Sequence, residues 1–128
     1  DLSSFFRSSL VCPNISEPHS QDFGYDIIER PFKILYSGGF CISDFVQSMS
    51  DLFNKEEIVF AKTPEELREL IHHYKDNPEE RDKHIKQGIK TVEENHTYID
   101  RVSTMLGLLE IEGGQDGCSR LKQNILRK

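Results

Sequence analysis

Apolar positions along this chain fall into short runs separated by proline, glycine and charged residues, and their spacing switches repeatedly between helical and extended periods. Leu2, Phe5 and Phe6 have helical spacing over residues 2 to 8, and Leu10 to Ser16 is a short apolar run that suits a strand. Pro13 weakens that strand, because proline cannot donate to a central ladder. Glu17 to Gly24 carries turn residues and reads as a loop that continues to Glu29. A helix is expected to begin near Arg30-Pro31, where proline loses no hydrogen bond and presets the dihedral, and to stop at Ser37-Gly38-Gly39.

Phe40 to Ser43 is the next apolar run. Asp44 is expected to cap a short helix with apolar positions Phe45, Val46, Met49, Leu52 and Phe53, and Glu57 to Ala61 fits another strand. Thr63-Pro64-Glu65-Glu66 has the form of a capping box, followed by a buried stripe of Leu67, Leu70, Ile71 and Tyr74. Asn77-Pro78 starts a second helix running to about Glu94, and a third spans Thr97 to Leu109. Strands alternating with helices across short turns imply parallel pairing, so the fold class is α/β with a partial doubly wound, Rossmann-like sheet ending in several helices. Three strands alone leave an open edge and a thin core, which leads us to expect further strands on the N-terminal side, in a longer polypeptide.

The composition is that of a globular domain: 36% hydrophobic and 30% charged residues in 128. No stretch approaches the ~20 apolar residues of a membrane span, and the first residues lack the pattern of a secretory leader, so neither is expected. A net charge of −6 argues against a nucleic-acid partner, since phosphate neutralisation needs a basic face. Residues 113 to 128 depart from the acidic trend, with four bases against one acid, and read as a basic polar tail or linker behind a domain over residues 1 to 112. Cys12, Cys41 and Cys118 fit neither a disulfide framework nor a zinc site. Free cysteines point to a reducing, cytoplasmic setting.

In an open parallel sheet the ligand crevice lies at the carboxyl ends of the strands, which directs attention to loop 17 to 29 and the helix start at Arg30. Backbone N–H groups there suit a phosphate or diphosphate, and Arg30 and Lys33, one turn apart, could supplement them. The alternative is a surface role, with Arg30 paired to Glu29 or Asp26 and Lys33 solvated. His19, in the same loop, is a candidate acid/base or sugar-hydroxyl partner. His72, His73 and His84 lack the spacing of a metal site.

Taken together, the run Arg30 to Asp44, Leu52-Phe53, Glu57 to Phe60, Thr63 to Leu67, Asn77 to Arg81 and Asn95 to Tyr98 resembles the C-terminal segment of GT-B glycosyltransferases. The group most similar includes CgeB-like proteins and other group 1 glycosyltransferases. In that family an R-x-F-E-x-x-A-C-G-G helix precedes a strand, a P-E-E-L helix follows the next, and E-x-H-T-Y opens the last helix. The resemblance covers about residues 2 to 110.

It implies transfer of a sugar from a nucleotide-sugar, the donor held by this Rossmann-like half, the acceptor by a preceding N-terminal domain, and no obligatory metal or other cofactor. Asp26, Ile27 and Ile28 map onto the segment that approaches sugar and diphosphate, and Asp26 would accept sugar hydroxyls. Two departures stand out. Lys33 replaces the family glutamate that binds the donor ribose, and Tyr25 replaces the other acidic position eight residues earlier. A carboxylate accepts hydroxyl protons whereas an ammonium only donates. Lys33 would then contact a phosphate or hydroxyl oxygen, or donor use has changed, or activity has been lost and the scaffold serves as a non-catalytic binding module.

Overall fold

A computed structural model describes residues 1–127 of the chain. In order, the elements are α1 (Leu2–Ser8), β1 (Cys12–Asn14), α2 (Pro18–Phe23), α3 (Arg30–Tyr36), β2 (Cys41–Asp44), α4 (Gln47–Leu52), β3 (Val59–Ala61), α5 (Pro64–Asp76), α6 (Pro78–Asn95), α7 (Tyr98–Leu108) and α8 (Gly114–Leu126). They fall into two compact units, residues 1–92 and 93–128.

The first unit is α/β: a three-stranded parallel sheet in the order β1-β2-β3, flanked by helices, as in part of a Rossmann-like half. Cys12 lies opposite Cys41, and Ile42 opposite Val59. Because side chains alternate along a strand, each strand feeds two cores. Cys12 and Cys41 join Phe6, Ile34, Leu35, Met49, Phe53 and Val92 on one side, while Ile42, Val59 and Ala61 join Phe40 and Tyr74 on the other. Pro13 is tolerated because β1 is an edge strand whose Cys12 N–H donates to the Phe40 carbonyl at 2.7 Å, so the nitrogen of the next residue faces away from β2.

The helix signals around α3 and α5 act as expected. Gly38 takes φ +78°, the left-handed stop after α3. A Cβ on Gly39 would sit 3.0 Å from Ile34 Cγ2 and 3.2 Å from Phe6 Cβ, so the chain turns into β2 only without a side chain there. The Thr63 hydroxyl accepts from Glu66 N–H at 3.1 Å, but the Glu66 carboxylate accepts from Lys62 N–H, one residue beyond the cap, so the box is not reciprocal.

Three expectations need correction. Residues 18–23 are helix rather than loop: Pro18 starts α2 and Gly24, at φ +73°, ends it. Asp44 caps nothing; it closes β2, and α4 begins after Val46 without a side-chain cap. The segment read as a polar tail holds α8, which packs on α7 within the second unit; Lys128 lies outside the described residues. There Thr97 and Asp100 form a reciprocal capping box, and Lys122 Nζ lies 2.6 Å from the Asp100 carboxylate. No helix among the described residues is long and apolar enough to cross a membrane.

Candidate functional site

The strands end at Asn14, Asp44 and Ala61, and the carboxyl edge of the first two carries a dense polar network. Asn14 and Ser43 are 1% and 0% exposed, on the parity that faces the core, and their side chains meet: Asn14 Nδ2 donates to Ser43 Oγ at 2.9 Å. Asn14 Oδ1 accepts from Arg30 Nη1 at 3.4 Å, which ties the first residue of α3 to the end of β1. Asp44 gathers the β1–α2 connection and α2 itself, accepting from Ser16 N–H at 2.7 Å, Ser16 Oγ at 2.9 Å and Gln21 Nε2 at 2.6 Å.

A second set of bonds holds the turn after α2 against α4. Ser48 N–H donates to the Gly24 carbonyl at 2.9 Å and Ser48 Oγ to the Asp26 carbonyl at 3.3 Å. Asp26 also accepts from the buried Ser20 hydroxyl at 2.7 Å, and His19 Nε2 stands 3.7 Å from the same carboxylate oxygen. Residues 16 to 26 are therefore anchored to β2 by Asp44 and to α4 by Ser48.

Among the residues singled out beforehand, Arg30, Asp26 and His19 thus fall on the carboxyl edge or the segment anchored to it. Tyr25 and Ile27 are exposed on the connection into α3, Tyr25 edge-on to Phe23, and Ile28 is half-buried. Arg30 pairs with neither Glu29 nor Asp26 as its closest partner; it reaches Asn14. Lys33 is not simply solvated, because its ammonium lies 2.8 Å from Glu29, the residue just before α3. The backbone contribution is smaller than expected: α3 has seven residues, and Pro31 in its first turn brings no N–H.

Asn14, Ser16, Gln21, Ser43 and Asp44 escaped the reading of the sequence as site residues. Asn14 had a visible signal, a polar side chain two residues from Cys12 on the same strand parity. Asp44 had none locally, since Gln21 and Ser16, which it anchors, lie 23 and 28 residues away.

A cleft of about 1170 Å³ opens elsewhere in the first unit, beside Val59 at the start of β3 and the α5–α6 corner. Two of its lining side chains, Tyr74 and His84, are joined to each other. A carbonyl only accepts, so His84 Nδ1 carries the proton it gives to Glu56 O at 2.9 Å, and Nε2 shares a hydrogen bond with the Tyr74 hydroxyl at 3.0 Å. Burial pushes the Tyr74 phenol up from its ordinary value, with Glu80 adding to the effect. Among the described residues, no three His, Cys, Asp or Glu side chains are placed to hold a metal ion.

Neither a curated protein nor a solved structure shows significant similarity to the chain. The model of one protein family, described as glycosyl transferase-like, matches residues 1–107, from α1 through nearly all of α7. That span contains the parallel sheet and its polar carboxyl edge, and the chain belongs to the glycosyl transferase-like family.

Proposed function

We propose that the carboxyl edge of this sheet binds the nucleotide-sugar donor of a glycosyl transfer reaction, as the donor half of a GT-B enzyme whose acceptor-binding domain lies N-terminal to it, in a reducing, cytoplasmic setting. One observation carries the reading: in a member of this family, Arg30 stands at the end of β1 with its guanidinium directed by a buried asparagine. An arginine has five N–H donors and Asn14 engages one of them, which suits a diphosphate.

In the proposed reaction an acceptor hydroxyl attacks the anomeric carbon, the bond to the nucleoside diphosphate breaks, and negative charge grows on the leaving phosphate oxygens. Arg30 offsets that charge, without an obligatory metal, and its orientation by Asn14 reduces the reorganisation needed as the charge develops. Asp26 and His19 face the sugar hydroxyls, Tyr25 borders them, and the backbone at Ile27 and Ile28 runs beside the sugar and diphosphate. Titration with UDP and GDP, followed by backbone amide shifts, tests this. Movement at residues 25 to 33 is expected, and silence there would sink the proposal.

A second reading, a binding module without transfer chemistry, draws on the ion pair between Lys33 and Glu29. The cation that replaces the family's ribose-binding acid is met by Glu29, at the start of its own helix. Lys33→Glu separates the two: a degenerate donor site gains nucleotide affinity, whereas a site adapted to lysine loses it.

A further inference from the structure

The polar edge contains a hydrogen-bond series with a single direction. Arg30 Nη1 donates to Asn14 Oδ1 at 3.4 Å, Asn14 Nδ2 to Ser43 Oγ at 2.9 Å, and Ser43 Oγ to Asp44 Oδ1 at 3.3 Å. Chemistry dictates that direction. A guanidinium only donates, so Asn14 must turn its oxygen to Arg30 and its amide nitrogen to Ser43; Ser43 then accepts from Asn14 and gives its own proton to Asp44, a carboxylate that only accepts. The middle link is short and its two members are almost fully buried, so bulk solvent offers them no substitute partner. The two end links are long, and they orient rather than tether.

Asp44 is otherwise saturated. Its Oδ2 accepts from Ser16 N–H and Gln21 Nε2, and its Oδ1 from the Ser16 hydroxyl. Consider Asp44→Asn, which conserves size. The single remaining oxygen is required by the Ser16 N–H and Gln21, which leaves the new N–H₂ facing Ser43. The Ser43 hydroxyl must then accept from two amides, or Asn14 must turn over and present its own N–H₂ to the guanidinium.

We infer that Asp44 is a positioning residue for Arg30, acting through Ser43 and Asn14 to set which end of the Asn14 amide meets the guanidinium. The identity of the anion that Arg30 then receives, a nucleoside diphosphate, rests on the function proposed above; the series itself does not.

The experiment is side-chain amide NMR of Asn14 in the ligand-free protein, together with UDP and GDP binding, for the wild type, Asp44→Asn, Ser43→Ala, Ser119→Ala and Arg30→Ala. Asp44→Asn and Ser43→Ala are expected to shift the Asn14 side-chain amide and to weaken nucleotide binding by about tenfold, the worth of one hydrogen bond. Ser119→Ala, which removes a hydroxyl on α8 outside the site, leaves both readouts close to wild type. If Asp44 acts through Arg30, Asp44→Asn adds no further loss in an Arg30→Ala background. An Asn14 amide unmoved in Asp44→Asn and Ser43→Ala, or a full tenfold loss that persists without Arg30, overturns the inference. A wild type that binds neither nucleotide counts against the donor reading alone, because the Asn14 resonance still reports on the series. Should Asp44→Asn not fold, Ser43→Ala supplies the same comparison.

Discussion

Gly88 of α6 lies directly against Leu35 of α3: a Cβ at position 88 would stand 2.8 Å from Leu35 Cδ2 and 3.3 Å from the Glu57 carbonyl oxygen. Leu35 is 1% exposed and has little room to yield. Alanine normally improves a helix interior by about 1 kcal/mol over glycine, whereas overpacking a core costs about 1–3 kcal/mol. Gly88→Ala should therefore lower stability by roughly 1 kcal/mol. Gly117→Ala in α8, where nothing lies within 4 Å of an added Cβ, should raise helix stability by a similar amount. Thermal melts of the two variants check the contrast, and a stabilised Gly88→Ala would show that α3 and α6 are less tightly packed.

Asp100 links folding of the second unit to acid. Its partial burial alone would raise the carboxyl, but the hydrogen bonds from Lys122 and Thr97 outweigh that and hold it below the ordinary value of 3.8. A group held low in the folded state contributes stability above the unfolded value and loses it as pH falls through the folded one. Helicity of α7 and α8 should thus fall below about pH 4 more steeply in the wild type than in Lys122→Ala. Parallel acid titrations by circular dichroism would refute this by superimposing. At neutral pH, Thr97→Ala should cost about 1 kcal/mol as a lost cap.

The thiols respond at the other end of the pH scale. Burial pushes Cys41 strongly up, with Cys12 and Asp44 adding and Arg30 opposing; burial also raises Cys12, partly offset by Ser9. A thiol that ionises more readily when unfolded leaves stability intact below the ordinary value of 9.0 and removes it as pH rises beyond. Cys41→Ala should flatten the alkaline loss of stability, at some cost in packing. In the native protein a thiol reagent should modify the half-buried Cys118 first and reach Cys12 and Cys41 only on unfolding. Prompt labelling of all three would contradict the buried placement.

Glu57 is a carboxylate at 7% exposure, and its partners explain why it is tolerated there. Oε2 accepts from Asn54 N–H at 2.8 Å and Oε1 from the Thr91 hydroxyl of α6 at 2.7 Å. Thr91→Val keeps the shape and removes the donor, leaving part of a buried charge unmatched. A loss of about 1–3 kcal/mol is expected by denaturant unfolding. Recovery in the double variant with Glu57→Gln would support the pairing, and a neutral Thr91→Val would refute it.

What could be read from the sequence divides by the distance over which each signal acts. Thr63, Thr97 and Gly38 announced helix ends because caps are made within four residues of the chain, and the unbroken apolar run Phe40-Cys41-Ile42 reported a strand buried on both faces. α2 was misread because Pro18 and Gly24 serve turns as well as helices, and Glu17 supplies no side-chain cap to decide between them. At the candidate site, Arg30 stood out by charge and place. Asp44 did not, since an acid after a strand looks like a helix cap until Ser16 and Gln21 are brought to it by the pairing of β1 with β2.

Pro13 has a consequence for whatever meets the outer side of β1. Its nitrogen and carbonyl both point away from β2, so the middle of that edge offers an acceptor and no donor. A strand joining there can give a hydrogen bond at position 13 but cannot receive one. Its register must place its own carbonyls opposite residues 11 and 15 instead, which narrows the alignments open to a neighbour and disfavours indiscriminate pairing between exposed edges.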